Sequence, residues 1–324
     1  MKVLTFDRYT LCCALAALLA GCGGSQPPIG APGTMAQMSA SATHADRGKS
    51  WMAPHSSSED LIYATGGCGG TCVLSYPSGK LVGTVGTYGS AICSDSSGDV
   101  YITNDNEVVE YAHGGTSTIA TYSLNGNQAL GCSVDQMTGN IAVVYRGDGA
   151  DIAVFPNGGG TPALYDSQLD SSYCGYDGNG NLFVNGYNGQ QYGLSELPTG
   201  ASEFTRLSIN GSLGEPREVQ WDGTYITWES GGGQGGYAVS RLQISGSTAT
   251  VVGTTNFNVR HYATQSWIFG NRIIIPYESN GRRMSASIVG IWKYPKGDTP
   301  IKRFQSFGSY KKKSLDFQGV AFSV

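Results

Sequence analysis

Short apolar runs separated by polar turns follow one another along most of this chain of 324 residues. The pattern is clearest in "CSVDQMTGNIAVVYRGDGADIAVFPNGG", which begins at Cys132, and in "CGYDGNGNLFVNGYNGQQYGLSELPTGA", which begins at Cys174. In both copies the apolar runs are rich in β-branched and aromatic residues, and Gly, Asn, Asp or Pro stand between them. This pattern predicts short strands joined by tight turns.

The same pattern occurs six times at nearly constant spacing. An apolar segment after an Asp/Gly turn recurs at intervals of 39, 41, 41, 43 and 48 residues. A unit of about 40–45 residues with four short strands has the length of a propeller blade. The six segments are LIYAT at Leu61, VYITN at Val100, IAVVY at Ile141, LFVNG at Leu182, YITWE at Tyr225 and IIIPY at Ile273.

We therefore predict an all-β fold, a six-bladed β-propeller of four-stranded antiparallel blades. Blade 1 lacks an innermost strand, because a polar segment precedes Leu61. The segment GVAFSV, from Gly319 to Val324, matches the innermost-strand pattern GCSV that begins at Gly131. We expect this C-terminal strand to pair into blade 1 and close the ring.

The unit GCSVDQMTGNIAVV resembles the NHL repeat, usually written as G-I-A-V-D, a turn, and then G-N-L-Y-V. The resemblance covers about Asp60 to Val324. It departs from the family pattern where Cys takes the usual Ile position, and in blade 6, where SWIFGNRIII has no Asp. NHL-like propellers serve as protein-binding scaffolds, lyases or lactonases, so the resemblance implies a fold and leaves the function open.

The amino-terminal residues have the features of an export signal. Lys2 and Arg8 precede the apolar stretch Leu11–Ala20, which is too short to span a bilayer. The stretch ends in LAGC, which resembles the bacterial lipobox and implies that residues 1–21 are a signal peptide. The resemblance also implies that Cys22 is acylated and anchors the protein in a lipid bilayer. Gly rather than Asp follows, which favours the outer membrane over the inner membrane.

Residues 22–59 are small, polar and rich in Pro, Gly and Ser. Such a segment buries too little apolar surface to offset its ordering entropy, so we expect a flexible tether after the acylated cysteine. Residues 60–324 then form a single β-propeller domain.

Charge excludes one class of partner. Only 14% of the residues are charged, and without residues 1–21 the formal charge is −5. A chain with this balance has no basic field for nucleic acid. We expect a monomer that uses the propeller for binding.

One face of such a propeller is formed partly by the loops that enter each innermost strand. Tyr, amide and paired charged side chains on these loops suit a protein, a peptide or a glycan, although propeller loops are also polar simply because they are solvated. The residues proposed for this binding face are Tyr88, Gln128, Asp170, Tyr173, Glu215, Arg217, Glu218, Arg260, His261 and Tyr262.

Catalytic alternatives have weaker support. GEPREVQWDG, from Gly214, faintly resembles the E-G-P segment of the gluconolactonase family, which would make Glu215 or Glu218 a ligand of a divalent cation. Pro follows Glu directly, however, and no matching Asn and Asp partners are found. His261 lies at the expected mouth, where lyases with a similar propeller use a histidine as base. We assign no catalytic residue, metal or cofactor.

The cysteines divide into three groups. Cys68 and Cys72, in GGCGGTCV, flank the loop between two predicted strands and could form a disulfide in an oxidising compartment. Cys132 and Cys174 take matching innermost-strand positions, and Cys93 lies within one residue of that position. A soft-metal site is conceivable there, but we expect these three thiols to pack as small apolar side chains.

The sequence thus predicts a membrane-anchored envelope lipoprotein whose propeller binds or scaffolds a protein, peptide or glycan. The alternative is an enzyme of the propeller lactonase or lyase type that acts at the central mouth.

Overall fold

The apolar segments form strands because β-branched and aromatic residues fit a pleated, buried surface, and because Gly, Asn and Asp accept the turns between them. The computed structural model of the protein describes residues 50–66, 68–147, 149–231, 236–259, 265–280, 285–305 and 317–324. In these residues there are 25 strands and two 3-10 helices of three residues, and no α-helix. The all-β prediction is confirmed.

The first sheet combines strands from both ends of the described chain. Its members are β1 (Trp51–Met52), β2 (Leu61–Thr65), β3 (Thr71–Ser75), β4 (Leu81–Val85) and β25 (Gly319–Ser323). The order across the sheet is β1-β4-β3-β2-β25. Strand β25 is antiparallel to β2, with Leu61 opposite Ser323 and Thr65 opposite Gly319. The predicted C-terminal segment is therefore hydrogen-bonded to the first repeat.

The next two sheets each contain four antiparallel strands that are consecutive in the chain. The second sheet consists of β5 (Ala91–Ser94), β6 (Val100–Asn104), β7 (Glu107–Tyr111) and β8 (Thr118–Ser123). The third sheet consists of β9 (Gln128–Val134), β10 (Ile141–Arg146), β11 (Ile152–Phe155) and β12 (Ala163–Tyr165).

The remaining twelve strands form one mixed sheet of three antiparallel four-strand units. These units are β13 (Asp170–Tyr176), β14 (Leu182–Tyr187), β15 (Tyr192–Leu197) and β16 (Thr205–Asn210); β17 (Pro216–Trp221), β18 (Ile226–Gly231), β19 (Tyr237–Ser245) and β20 (Thr248–Phe257); and β21 (Trp267–Phe269), β22 (Arg272–Asn280), β23 (Ser285–Lys293) and β24 (Gly297–Gln305). Short parallel pairings connect the last strands of these units, between β16 and β20 and between β20 and β24. These outer-edge pairings were not predicted.

Apolar side chains fill the interfaces between neighbouring four-strand units. Each unit packs against the next one in the chain, as where Tyr101 of the second sheet and Phe155 of the third lie in one cluster. The series returns to its beginning, because Ile62 of β2 packs in a single cluster with Ile274 of β22 and Val289 of β23. Contacts therefore link the last unit to the first sheet.

Strand β25 is also held by the second sheet. The Ser94 hydroxyl donates a hydrogen bond to the Phe322 carbonyl at 2.8 Å. The Ser323 hydroxyl donates to the Gly98 carbonyl, and the His113 ring nitrogen lies within hydrogen-bond distance of the same hydroxyl. The C-terminal strand is thus attached to two sheets.

The repeated Asp and Gly build the turns after the innermost strands. Asp95 Oδ1 accepts the backbone N–H groups of Ser97 and Asp99, both at 2.9 Å, and Asp177 accepts two such groups in the fourth unit. Gly98 has φ 84°, a left-handed conformation that favours glycine. The Asp and Gly positions therefore recur in the repeat because the turn after each of these strands needs them.

The final part of the expected tether belongs to the first sheet. Trp51 and Met52 pair with Thr84 and Gly83 of β4, and a 3-10 helix spans Ser56–Ser58. Trp51 and Met52 therefore form a short edge strand of the first sheet. In the described residues, no helix is both long and apolar enough to cross a membrane.

Candidate functional site

Three residues of the predicted binding face lie at the starts of successive innermost strands. Tyr88, Gln128 and Asp170 are exposed, and they precede or begin β5, β9 and β13. Tyr88 shows 46% of its surface to solvent. Hydrogen bonds hold neighbouring units together at this end, for example from the Ser90 hydroxyl to the Ala129 carbonyl at 3.0 Å.

The other predicted face residues differ in environment. Tyr173 is half-buried, while Glu215 is exposed and lies 3.6 Å from the Arg217 guanidinium. Glu218 is buried and does not belong to the outer surface. Arg260, His261 and Tyr262 lie outside the described residues.

An aromatic pair at the same end of the sheets was not predicted as a unit. Tyr187, the last residue of β14, and Tyr192, the first residue of β15, are both exposed, and their ring centroids are 5.9 Å apart. The alternation of the strands does not reveal this pair, because it forms across a hairpin.

A cavity of about 360 Å³ lies at the other ends of the innermost strands. Among the described residues, the first three sheets and the three units of the mixed sheet each contribute a wall residue from the innermost strand, namely Phe322, Ser94, Ser133, Gly175, Gln220 and Ile268. The turns that follow β5, β9 and β13 add further wall residues. Its volume is within the range of small-molecule sites.

Glu218 and Gln265 lie deep in this region. Glu218 lines the cavity but is only 3% exposed, and it accepts a hydrogen bond from the Gln265 amide. Gln265 accepts a hydrogen bond from the Ile92 N–H at 2.8 Å and donates one to the Ile92 carbonyl at 2.7 Å. Its side chain therefore connects the segment before β21 with β5. Among the described residues, Glu218 Oε2 has no hydrogen-bond partner.

A second buried carboxyl, Glu229 of β18, is well supplied with donors. Its oxygens accept hydrogen bonds from the Ser266 and Tyr237 hydroxyls, and the Gln220 amide approaches at 3.4 Å. Burial raises the pKa of Glu229 to about 7 despite these donors. Burial, and secondarily the nearby Glu229 charge, raises the pKa of Glu218 well above the ordinary value for a carboxyl.

The cavity wall combines aromatic rings with acidic side chains. Trp267 is half-buried and touches three of the apolar clusters between units. Tyr176, Trp221 and Phe322 are also wall residues. The described wall contains four acidic residues and no Lys, Arg or His; the acidic ones are Asp95, Asp135, Asp177 and Glu218.

The cysteines are more extensively paired than the sequence indicated. Cys68 and Cys72 form a disulfide, and a second disulfide joins Cys93 of β5 to Cys132 of β9. The expectation that Cys93 and Cys132 are separate packing thiols is therefore wrong, because adjacent innermost strands bring the two side chains together. Cys174 is free and buried, and burial raises its thiol pKa, which makes it unreactive.

The geometry of the described residues gives little support to a metal centre. No group of three or more His, Cys, Asp or Glu side chains is arranged to hold a metal ion in this part of the chain. Glu215 is exposed and Glu218 is buried, so the segment that faintly resembles the gluconolactonase family divides its two acids between different environments. The carboxylates of Asp95, Asp135 and Asp177 are used by their own turns.

Comparison with known structures gives the fold class. No protein-family model matches the sequence, and no curated protein does. A protein of unknown function from Bacteroides caccae is similar in structure, with a TM-score of 0.60 and 10% identity over 82% of this chain and 99% of that one. A chain of the nidogen/laminin complex has a TM-score of 0.53 and 14% identity over 82% and 98% of the two chains.

TolB from Acinetobacter baumannii is a third similar structure. Its TM-score is 0.56 at 10% identity, over 83% of this chain and 67% of that chain. Likeness at such low identity shows the fold alone. The chain is a β-propeller protein.

Sequence reasoning found Glu218 but placed it on the wrong surface. It missed Glu229, Gln265 and Trp267 altogether. Glu229 offered one signal, because the segment YITWES places a carboxylate within an otherwise apolar and aromatic strand. A charged residue in such a run needs buried donors, which Ser266 and Tyr237 supply.

Proposed function

We propose that the chain is a lipid-anchored envelope protein whose propeller is a binding module for a partner protein. The observation that carries this proposal is the exposure of Tyr88, Gln128 and Asp170 at the starts of successive innermost strands. A rigid sheet scaffold that presents variable loop residues suits recognition. The similar chain in the nidogen/laminin complex belongs to a protein–protein assembly, which supports the same reading.

The proposal includes a ring of six blades that β25 closes. Its support is the pairing of β25 with β2, together with the apolar cluster that joins the first sheet to β22 and β23. A cavity with a wall residue from the innermost strand of each unit fits a central axis.

A peptide or a glycan is the alternative ligand for the face, and lactonase or lyase chemistry is the alternative function.

Two features support export and anchoring. LAGC at the end of the first apolar stretch resembles a lipobox, which would direct acylation to Cys22. The disulfides Cys68–Cys72 and Cys93–Cys132 suit an oxidising compartment outside the cytoplasm. We propose attachment to the outer membrane rather than the inner membrane, with residues 1–21 removed.

The anchor is tested by Cys22→Ser in the full-length chain. We expect the variant to move from the membrane fraction to the soluble fraction and to take up no labelled palmitate, because the acyl chains have lost their attachment atom. Cys13→Ser is the matched control, since it removes a thiol from the apolar stretch and should leave labelling unchanged. Palmitate incorporation into the Cys22→Ser protein would rule out the anchor.

The binding face is tested by photo-crosslinking in intact cells. A photoreactive phenylalanine analogue replaces Tyr88, Gln128 or Asp170 in separate full-length variants, and we expect a discrete adduct with the same second protein at two or more of these positions. The control places the analogue at Ile119, an exposed residue of the outer strand β8. Absence of adducts at all three face positions, or the same adduct at Ile119, contradicts the proposal.

A further inference from the structure

The cavity at the ends of the innermost strands, called the axial cavity below, contains a carboxyl group that the fold uses only in part. Glu218 lines the cavity and is buried, and its Oε2 atom has no hydrogen-bond partner among the described residues. A buried carboxyl oxygen without a partner has lost its hydration without compensation, and the cost is greater when the carboxyl is ionised. The nearby carboxyl of Glu229, by contrast, accepts hydrogen bonds from the Tyr237 and Ser266 hydroxyls, so hydrogen-bond donors are present in this part of the fold. The free atom therefore points to a ligand.

The charge of the wall indicates the sign of that ligand. Its described charged side chains are Asp95, Asp135, Asp177 and Glu218, all acidic, and none is balanced by a basic residue of the wall. Like charges around a cavity of low dielectric constant produce a negative potential that concentrates cations and repels anions. A cation beside Glu218 would also offset the burial cost of the ionised carboxyl.

The remaining wall favours an organic cation over a metal ion. A hard metal ion needs several oxygen ligands, yet the Asp95, Asp135 and Asp177 carboxylates accept hydrogen bonds from their own turns. Aromatic rings, by contrast, attract alkylammonium groups through their faces. Trp221 and Trp267 supply two such rings.

We propose that the axial cavity binds a small organic ammonium ion, with the cationic nitrogen facing Glu218 and the alkyl groups against Trp221 and Trp267. At about 360 Å³ the cavity has room for a ligand of this size. The site lies at the opposite ends of the innermost strands from Tyr88, Gln128 and Asp170, so it does not depend on the proposed partner protein.

The test compares choline with 3,3-dimethyl-1-butanol, an alcohol of nearly the same shape without the charge. Titration calorimetry and thermal unfolding of the full-length protein in detergent measure binding of each compound at concentrations up to about 10 mM, which reaches millimolar affinities. We expect choline to bind and to raise the melting temperature. The neutral alcohol should bind at least about tenfold more weakly, because it lacks the charge that Glu218 and the rings recognise.

Three variants assign the binding to this cavity. Glu218→Gln keeps the shape of the side chain and should weaken choline binding by about tenfold or more. Trp221→Leu keeps an apolar wall and should weaken it by about two- to fivefold, the usual worth of an exposed cation–π contact. Glu203→Gln removes one exposed carboxylate outside the cavity and should change nothing. Melting curves verify that each variant is folded.

Each contrary result overturns the proposal. If choline and tetramethylammonium both fail to bind the folded wild-type protein, the cavity is not an ammonium site. Equal affinity for choline and the neutral alcohol would show that charge plays no part. Unchanged binding in Glu218→Gln would place the ligand elsewhere. Crosslinking at the loop face is measured separately, so either proposal can fail alone.

Discussion

At the residue scale, the two buried glutamates illustrate how placement decides the behaviour of one side-chain type. Glu229 faces the Ser266 and Tyr237 hydroxyls, whereas Glu218 has Gln265 and a free oxygen. In both, burial disfavours the ionised form and raises the pKa. An acid whose pKa is higher in the folded state than in the unfolded state costs stability once the pH exceeds the unfolded value.

Glu218→Gln should therefore stabilise the ligand-free protein at high pH. Gln resembles the protonated acid and carries no charge to bury, so we expect its free energy of unfolding to exceed that of wild type by about 1–3 kcal/mol at pH 8. The difference should close near pH 4, where Glu218 is protonated in both states. Glu229 titrates in both proteins, so its contribution largely cancels. Denaturant titrations at a series of pH values measure the difference, and a constant gap across that range would contradict the explanation.

The sequence could not show that Glu218 is buried. The sequence pattern placed Glu218 on a solvated loop that enters an innermost strand, whereas Glu218 lies within β17 (Pro216–Trp221). Both faces of an innermost strand pack against neighbouring sheets, so the alternation of side chains does not separate surface from interior. Gln265 was harder still, because its partner Ile92 lies far away in the sequence.

At the scale of elements, the disulfide between β5 and β9 crosses an interface that is packed mainly with apolar side chains. Cys93 and Cys132 lie within the cluster that joins the second and third sheets. The sequence placed both residues on innermost strands, since the repeat spacing fixes their positions. The two positions differ by one residue in the repeat, and successive residues of a strand point to opposite faces, so this offset was a signal for the disulfide that our prediction did not use.

Replacing both Cys93 and Cys132 by Ala should destabilise the protein markedly. The bond closes a loop with a sequence separation of 39, for which chain entropy gives about 4 kcal/mol. Replacing Cys68 and Cys72 by Ala is the matched control; its separation is 4, and the corresponding cost is about 2 kcal/mol. Urea unfolding measures both variants. A larger loss from the shorter loop would contradict this account.

At the scale of the whole molecule, β25 determines whether the first sheet is complete. The repeat pattern alone predicted that the C-terminal segment pairs with the first unit, since only there was an innermost strand missing. The parallel pairing of outer strands in the twelve-stranded sheet had no such signal, because outer strands of neighbouring units meet through their backbones rather than through a side-chain pattern.

Removal of residues 319–324 should lower the melting temperature by about 10 °C or more, because several kcal/mol of packing and strand pairing are lost. Val320 and Ala321 are fully buried, and Ser323 is hydrogen-bonded to the second sheet. Removal of Val324 alone is the control, since this residue is exposed and lies beyond the strand. Calorimetry of the two variants gives the comparison, and an unchanged transition in the longer deletion would show that β25 does not hold the sheet.

The pairing of β2 with β25 also has a kinetic consequence. Strand β2 is synthesised early and β25 late, so the first sheet cannot reach its final form until nearly all of the described chain has left the ribosome. Contacts between segments so far apart in sequence slow folding. Until they form, the edge of β2 is an unpaired row of backbone donors and acceptors, open to chaperones or to a second nascent chain.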